Sequence, residues 1–531
     1  MHSLTCIAAS KALLALMLSV VGLLGGCAVA LPTIDREAIA SKAVPASVTT
    51  TLGLIAKESA PPGDLSGLRL MPLGTFSLDT RIELTRRAEA TLDVQYYHLE
   101  NDETGRWLLR ALREAADRGV RVRLLLDDLY TSGQDSFLLG FSAHKNIEVR
   151  LFNPFCLARE SGQTTRFAAS ILDIGRLNHR MHNKLLVADG AMAVVGGRNV
   201  ANEYYLRGMS GNFIDMDAFV VGSAVPALQN QFDLYWNSLA VFPLTSIARS
   251  KLTREQQIEL FSEAISDAKT PAPAALASND VLGYGPIADD LDIGRLGLNW
   301  GAVDVFADSP NKVFDGGLGG ELMSSSVTYN VLEEIGKAKR EVIGSSPYLV
   351  PGATGLAFFG AMRDKGVKVT LLTNSLSSTD EPIAHSGYTR YRKPMLELGV
   401  ELYELGSDRI MNNKRPFYFG SSLGRLHAKL FVIDRETSFI GSMNLDPRSA
   451  TLNTELGIIV SSPEVSRELI RVIDIDRFQS AYMVRLGKSG GLEWLSMDDE
   501  KETIVTVEPE TSFWSRLKLW LLTPFVPESF L

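Results

Sequence analysis

The chain repeats itself, and this limits the folds open to it more than any other feature of the sequence. Residues 77–98 (SLDTRIELTRRAEATLDVQYYH) and 325–348 (SSVTYNVLEEIGKAKREVIGSSPY) each read as a helix leading into a strand, with apolar positions three and four apart in the helical part. A second helix and strand follow each, over residues 104–128 and 354–375. Gly119 and Gly366 stand just past the second helices, where a left-handed cap suits glycine. The runs VRVRLLL and VKVTLL after them read as buried strands. The offset between the copies is 247 residues at these glycines, and 245 at a pair of histidines, His182 and His427. Alternating strands and helices predict an α/β fold. We therefore expect two similar α/β domains, each a mixed β-sheet flanked by helices, packed face to face with pseudo-two-fold symmetry.

The histidines open two copies of one signature, His182-Asn-Lys184-Leu-Leu-Val-Ala-Asp189 and His427-Ala-Lys429-Leu-Phe-Val-Ile-Asp434. Each is followed by a strand and a Gly-rich turn ending in asparagine, Asn199 in GGRN and Asn444 in GSMN. Asp217 and Glu455 open a further strand in each half. Residues two apart on a strand share a face, so each half offers an imidazole beside an ammonium. Asn199 and Asn444 can add amide donors, and Asp217 and Glu455 are placed to accept the far N–H of a histidine. Asp189 and Asp434, at odd spacing from the histidines, point the other way and are expected to be structural or supporting.

Two facing halves of this kind would enclose two histidines, two lysines and two asparagines, a set suited to one phosphodiester. Lysine and asparagine donors stabilise charge that builds on the equatorial oxygens. One histidine can attack phosphorus while the other protonates the leaving oxygen, then acts as base toward the acceptor. This chemistry calls for no metal and no cofactor. His98 and His179 are either further site residues or satisfied structural histidines. Arg176, Arg180 and Arg425 flank the signatures and either greet an anionic head group or decorate the surface.

The paired signatures, HNKLLVAD with GGRN and HAKLFVID with GSMN, resemble those of the phospholipase D superfamily, from about residue 67 to the C-terminus. The runs RMHNKLLVADGAMAVVGGRN and ETGRWLLRALREAADRGVRVRLLLDD are similar to its bacterial cardiolipin synthase branch. The resemblance implies phosphatidyl transfer to phosphatidylglycerol, from phosphatidylglycerol or phosphatidylethanolamine, through a phosphohistidine. It also implies that His182 is the nucleophile and that Lys184, Lys429, Asn199 and Asn444 hold phosphate, with Asp217 and Glu455 orienting the histidines. Hydrolysis by water is the alternative within that chemistry. A nuclease is disfavoured by the balance of 53 Lys and Arg against 62 Asp and Glu, since nucleic acid is held by cationic surfaces. A non-catalytic lipid-binding envelope protein is disfavoured because both signatures are complete. The expected partners are phospholipids and a membrane surface, with the two halves forming one site within a monomer.

Residues 12–26 are almost wholly apolar, follow Lys11 and end in Gly-Gly-Cys27. This reads as a secretory signal with a lipoprotein box in which Cys27 is lipidated, or otherwise as a short anchor. Either reading puts the body at a bacterial envelope, on the outer side of the cytoplasmic membrane. The expected divisions are 1–27 signal or anchor, 28–66 tether, 67–250 first domain, 251–295 linker and 296–531 second domain. Near the C-terminus, Phe513, Trp514, Leu517, Trp520 and Leu521 suit either an interfacial helix or a closing helix packed on the second half.

Overall fold

A computed structural model describes residues 31–315, 324–412, 424–498 and 501–526. The apolar segment, Cys6 and the proposed lipidation site Cys27 lie outside the described residues. Among those described, no helix is long and apolar enough to cross a membrane.

The two halves are built alike, strand for strand. In the first, Thr91–Tyr96, Arg121–Asp127 and Ile147–Phe152 pair in parallel, joined by the helix Glu103–Asp117 and the chain after it. Lys184–Ala188, Met192–Gly196, Asp217–Gly222 and Ser66–Met71 extend that sheet antiparallel from Thr91–Tyr96. The second half repeats the pattern. Glu341–Ser345, Lys368–Asn374 and Glu401–Leu405 are parallel. Lys429–Ile433, Thr437–Gly441, Leu456–Ser461 and Asn299–Ala307 continue antiparallel. The parallel strands bury Leu92, Val94, Val122, Leu124, Leu126 and Val149 under the helices, and the polar residues between them are paired where they are buried, as Arg123 is with Asp93 at 2.7 Å.

The outermost equivalents, Ser66–Met71 and Asn299–Ala307, pair with each other antiparallel, so the two sheets join edge to edge. Pairing these edges also removes two open templates for aggregation. Gly67 sits at this junction, where a Cβ would stand 2.6 Å from Leu298 and 2.9 Å from Trp300. The halves are locked further by two reciprocal crossings next to the histidines. Gly424–Leu426 pairs in parallel with residues 212–214, and Met181 bridges Thr454.

Two of the expected divisions differ from the structure. The segment assigned as a tether is a strap on the first domain. Arg36 donates to Ser238 O at 2.9 Å, Ala43 N to Asp233 at 2.8 Å, and Leu52 and Ile55 of the helix Thr51–Ser59 enter the core. The linker, too, is largely folded. Its helix Arg254–Ala264 buries Phe261 between Phe137 and Phe141, and Ile287 and Leu291 join the same core. In Arg254–Ala264, Phe261 is the single buried residue of eleven, and one buried side chain sets no period that a sequence reading could detect. At the other end, Phe513–Leu522 packs on the helix Pro382–Glu397 while leaving Phe513, Trp514, Trp520 and Leu521 exposed.

Candidate active site

His182 and His427 each end an extended segment that the opposite half holds. His182 N donates to Thr454 O at 2.8 Å, and His427 N donates to Ile214 O at 2.7 Å. The residue after each of these carbonyls supplies the carboxylate for that histidine. His182 Nδ1 lies 2.9 Å from Glu455 Oε2, and His427 Nδ1 lies 2.6 Å from Asp215 Oδ2. Each imidazole is thus oriented from across the domain boundary. With Nδ1 committed to a carboxylate, Nε2 is the nitrogen left for chemistry. Tyr97 meets the His182 ring edge-on at 5.0 Å, and Tyr204 meets His427 likewise at 5.1 Å.

The carboxylate beside His427 is therefore Asp215 and not Asp217, which corrects the expectation for the first half. Asp217 turns into the core, where Ser77 Oγ donates to it at 2.6 Å and Arg81 Nη2 at 3.0 Å, with Arg198 Nη1 at 3.3 Å. The repeat explains the difference. Gly196 pairs with Asp217 as Gly441 pairs with Gly457, so Asp217 corresponds to Gly457 and Asp215 to Glu455. Counting back from the paired glycines, instead of from the first residue of the strand, would have found Asp215. Gly197 makes room for it, because a Cβ there would fall 2.1 Å from Asp215 Oδ1. In the second half Ser442 stands in that place, and its hydroxyl donates to Glu455, as does Ser449 Oγ at 2.9 Å.

Lys184 Nζ donates to His182 O at 2.7 Å, and Lys429 Nζ donates to His427 O and lies 2.9 Å from His427 Nδ1. The shorter contact of that nitrogen is with Asp215, so its proton points there. Both ammonium groups are buried and lowered from the usual lysine range, chiefly by desolvation, Lys429 to about 8 and Lys184 well below its ordinary value. Burial, followed by the two lysines, pushes His182 well down; burial and Lys429 take His427 down to about 4. The carboxylates diverge. Burial pushes Glu455 up to about 7 against the pull of Lys184. Burial also opposes the charge on Asp215, but His427 and Lys429 hold it below the usual carboxylate range.

Asn199 and Asn444 are buried, the first against Tyr204, which meets His427, and the second through Ser449, which donates to Glu455; the Oδ1 of each lacks a hydrogen-bond partner among the described residues. Asn199 Nδ2 lies 2.8 Å from the Tyr204 hydroxyl, which can serve as donor or acceptor, so a turn of the amide frees NH2 for an anion. Asp189 and Asp434 lie at the far ends of their strands, both with positive φ. Asp189 accepts the backbone N–H groups of residues 89–91, and Asp434 those of residues 339–341. They clamp the loop before the first parallel strand of each half.

The remaining flanking residues are tied elsewhere. His179 Nδ1 lies 3.0 Å from Leu452 O, while His98 stacks on Tyr130 and lies 3.0 Å from Glu100. Arg176 binds Asp173 and Asn153, and Arg180 binds Asp127 at 3.0 Å. Arg425 lies in the crossing strand against Phe213.

The profile described as "Cardiolipin synthase, PLD-like domain" matches residues 82–236 and 331–476, the two halves that meet at this site. The chain belongs to that family. It is 38% identical to cardiolipin synthase C of Escherichia coli, over 83% of this chain and 91% of the relative. A cardiolipin synthase of Staphylococcus aureus is 26% identical, over 76% of this chain and 65% of the relative. The crystal structure of phosphatidylserine synthase from Haemophilus influenzae superimposes with a TM-score of 0.55 at 12% identity, covering 88% of this chain and 95% of that one, so the fold is shared.

Proposed function

We propose that this protein forms cardiolipin by transferring a phosphatidyl group to phosphatidylglycerol, with His182 as nucleophile and His427 as acid and base. Its enzyme class is that of its family, a phosphatidyltransferase of the phospholipase D type. The observation that carries the reading is the reciprocal pairing of each histidine with a carboxylate of the other half, in a pocket holding two buried lysines.

In this reading, the donor is phosphatidylglycerol or phosphatidylethanolamine. His182 Nε2 bonds to its phosphorus, and the head-group oxygen leaves with a proton from His427. His427 then takes a proton from a phosphatidylglycerol hydroxyl, whose oxygen displaces His182 and completes cardiolipin. The anionic Asp215 makes His427 the better seat for a proton, while neutral His182 keeps its lone pair. Lys184, Lys429, Asn199 and Asn444 stabilise the phosphoryl oxygens. The exposed aromatics of Phe513–Leu522 support contact with a bilayer, and the apolar run ending at Cys27 supports a lipid-anchored place on the outer side of the cytoplasmic membrane.

The test is to incubate the full chain with labelled phosphatidylglycerol in micelles, with and without phosphatidylethanolamine, beside His182→Ala and His427→Ala. Cardiolipin from the wild type alone supports the proposal, and dependence on phosphatidylethanolamine names the donor. Phosphatidic acid without cardiolipin would make water the acceptor and overturn it.

A further inference from the structure

The two halves differ most beside their asparagine turns. In the first half, Tyr205 and Trp107 are buried with Leu78 and Ile82 between the helices Gly74–Arg87 and Glu103–Asp117, which pack on each other. The 245-residue offset of the histidines places Ala450 where Tyr205 stands. The corresponding space in the second half is a cavity of about 430 Å³, between Val327–Gly336 and Gly352–Asp364. That volume is within the ~300–1,000 Å³ range of ligand sites.

Its floor is the buried sheet face of Val342, Val369, Leu371 and Phe431, and Phe358 and Leu332 form its sides. One end of the cavity reaches Asn444, whose backbone N–H donates to Ser449 Oγ at 3.1 Å, and that hydroxyl donates in turn to Glu455, the partner of His182. A smaller recess, about 280 Å³, remains in the first half, but its wall carries Asp79, Arg86 and Arg207. Of these two, the second-half cavity has the more continuous apolar lining, with Asp446 as its one ionisable residue, at the end where Asn444 lies.

We propose that this cavity receives one fatty-acyl chain of the phospholipid whose phosphate lies between the histidines. The inference rests on the phosphatidyl-transfer reading for its substrate. An apolar chain leaving a phosphate held by Asn444 has this space beside it, and for a monomeric ligand taken from water each methylene buried there adds binding free energy. It also sets a polarity on the bound lipid, with its chain in the second half and its head group away from it.

The test measures binding, not turnover. Detergent-free full-length protein, kept soluble by an amphipathic polymer, is titrated calorimetrically with butyl, octyl and dodecyl phosphate as monomers. Ala450→Phe, which restores the aromatic bulk of Tyr205, and Leu332→Trp are compared with wild type, each checked for an unchanged melting temperature. In the wild type, affinity should rise about fourfold per added methylene until the cavity is filled. In either folded variant the rise should flatten, with butyl phosphate bound as before. A chain-length dependence identical in wild type and both variants would overturn the proposal, as would a wild type that shows none. The two readings separate cleanly. Cardiolipin formation with an unaltered slope removes the acyl cavity alone. A slope abolished by Ala450→Phe, in an enzyme that makes no lipid product, removes phosphatidyl transfer alone.

Discussion

His427 and Asp215 are 212 residues apart in the chain and 2.6 Å apart in space, and each belongs to a different half of the molecule. His182 and Glu455 form the reciprocal pair at 2.9 Å. Neither half orients its own histidine, so neither half alone carries a complete site.

The distinction between Asp215 and Asp217 is testable by a pair of amides. Asp215→Asn should lower kcat on the order of 10²- to 10⁴-fold, because the His427 tautomer is no longer fixed and its proton loses a counter-charge. Asp217→Asn should leave kcat of the folded fraction within about threefold of wild type, but strip a charge from buried Arg81 and Arg198, at about 3–5 kcal/mol of stability. Melting curves and single-turnover rates on both variants separate the effects. The reverse pattern would return the orienting role to Asp217.

The acting form needs a protonated His427, held at about 4 in the free enzyme, together with an ionised Glu455, at about 7, so kcat/KM should be flat between about pH 4 and pH 7 and fall on either side. The fall should steepen above about pH 8, where Lys429 also loses its charge. A bound anionic diester favours the charged lysine and imidazolium, so the alkaline fall of kcat should lie at higher pH than that of kcat/KM. Lys429→Arg should remove the steepening alone. A steepening unmoved by that substitution assigns it to another group.

Glu455 also links pH to stability. Its pKa is raised on folding from the model-compound value of 4.5 to about 7, so the folded chain binds that proton more tightly than the unfolded chain. The resulting stability is complete below about pH 4.5 and is lost as pH rises through 7. Glu455→Gln, neutral throughout, should therefore gain roughly 1–3 kcal/mol relative to wild type between pH 5 and pH 8. Denaturant titrations at the two pH values measure this gain, and equal differences at both would exclude Glu455 as the linked group.

The assignment of nucleophile can be read from a trapped intermediate. With His427→Ala both the head-group acid and the acceptor base are lost, so phosphatidyl-His182 should accumulate only from a donor whose leaving group needs no proton, such as phosphatidyl-p-nitrophenol. With His182→Ala no adduct should form. Alkaline quench and peptide mass mapping locate the phosphate, and an adduct on His427 in the His182→Ala variant would invert the roles.

Sequence alone determined the duplicated α/β plan, because helix and strand periods are local and the copies run at a nearly constant offset. It also marked His182, Lys184, His427 and Lys429, because period-two geometry puts each pair on one face of a strand. Tertiary structure alone decided which carboxylate meets which imidazole, since the pairing crosses the boundary between halves and no local period encodes it. Asp217 stands opposite Gly196 as Gly457 stands opposite Gly441, two residues beyond the orienting position, and its charge is taken by the buried Arg81 and Arg198. The strap at residues 31–59, the folding of the segment after residue 251 and the hollow beside Asn444 were likewise decided by packing. Each depends on whether distant side chains fill a given volume, as Tyr205 does and Ala450 does not.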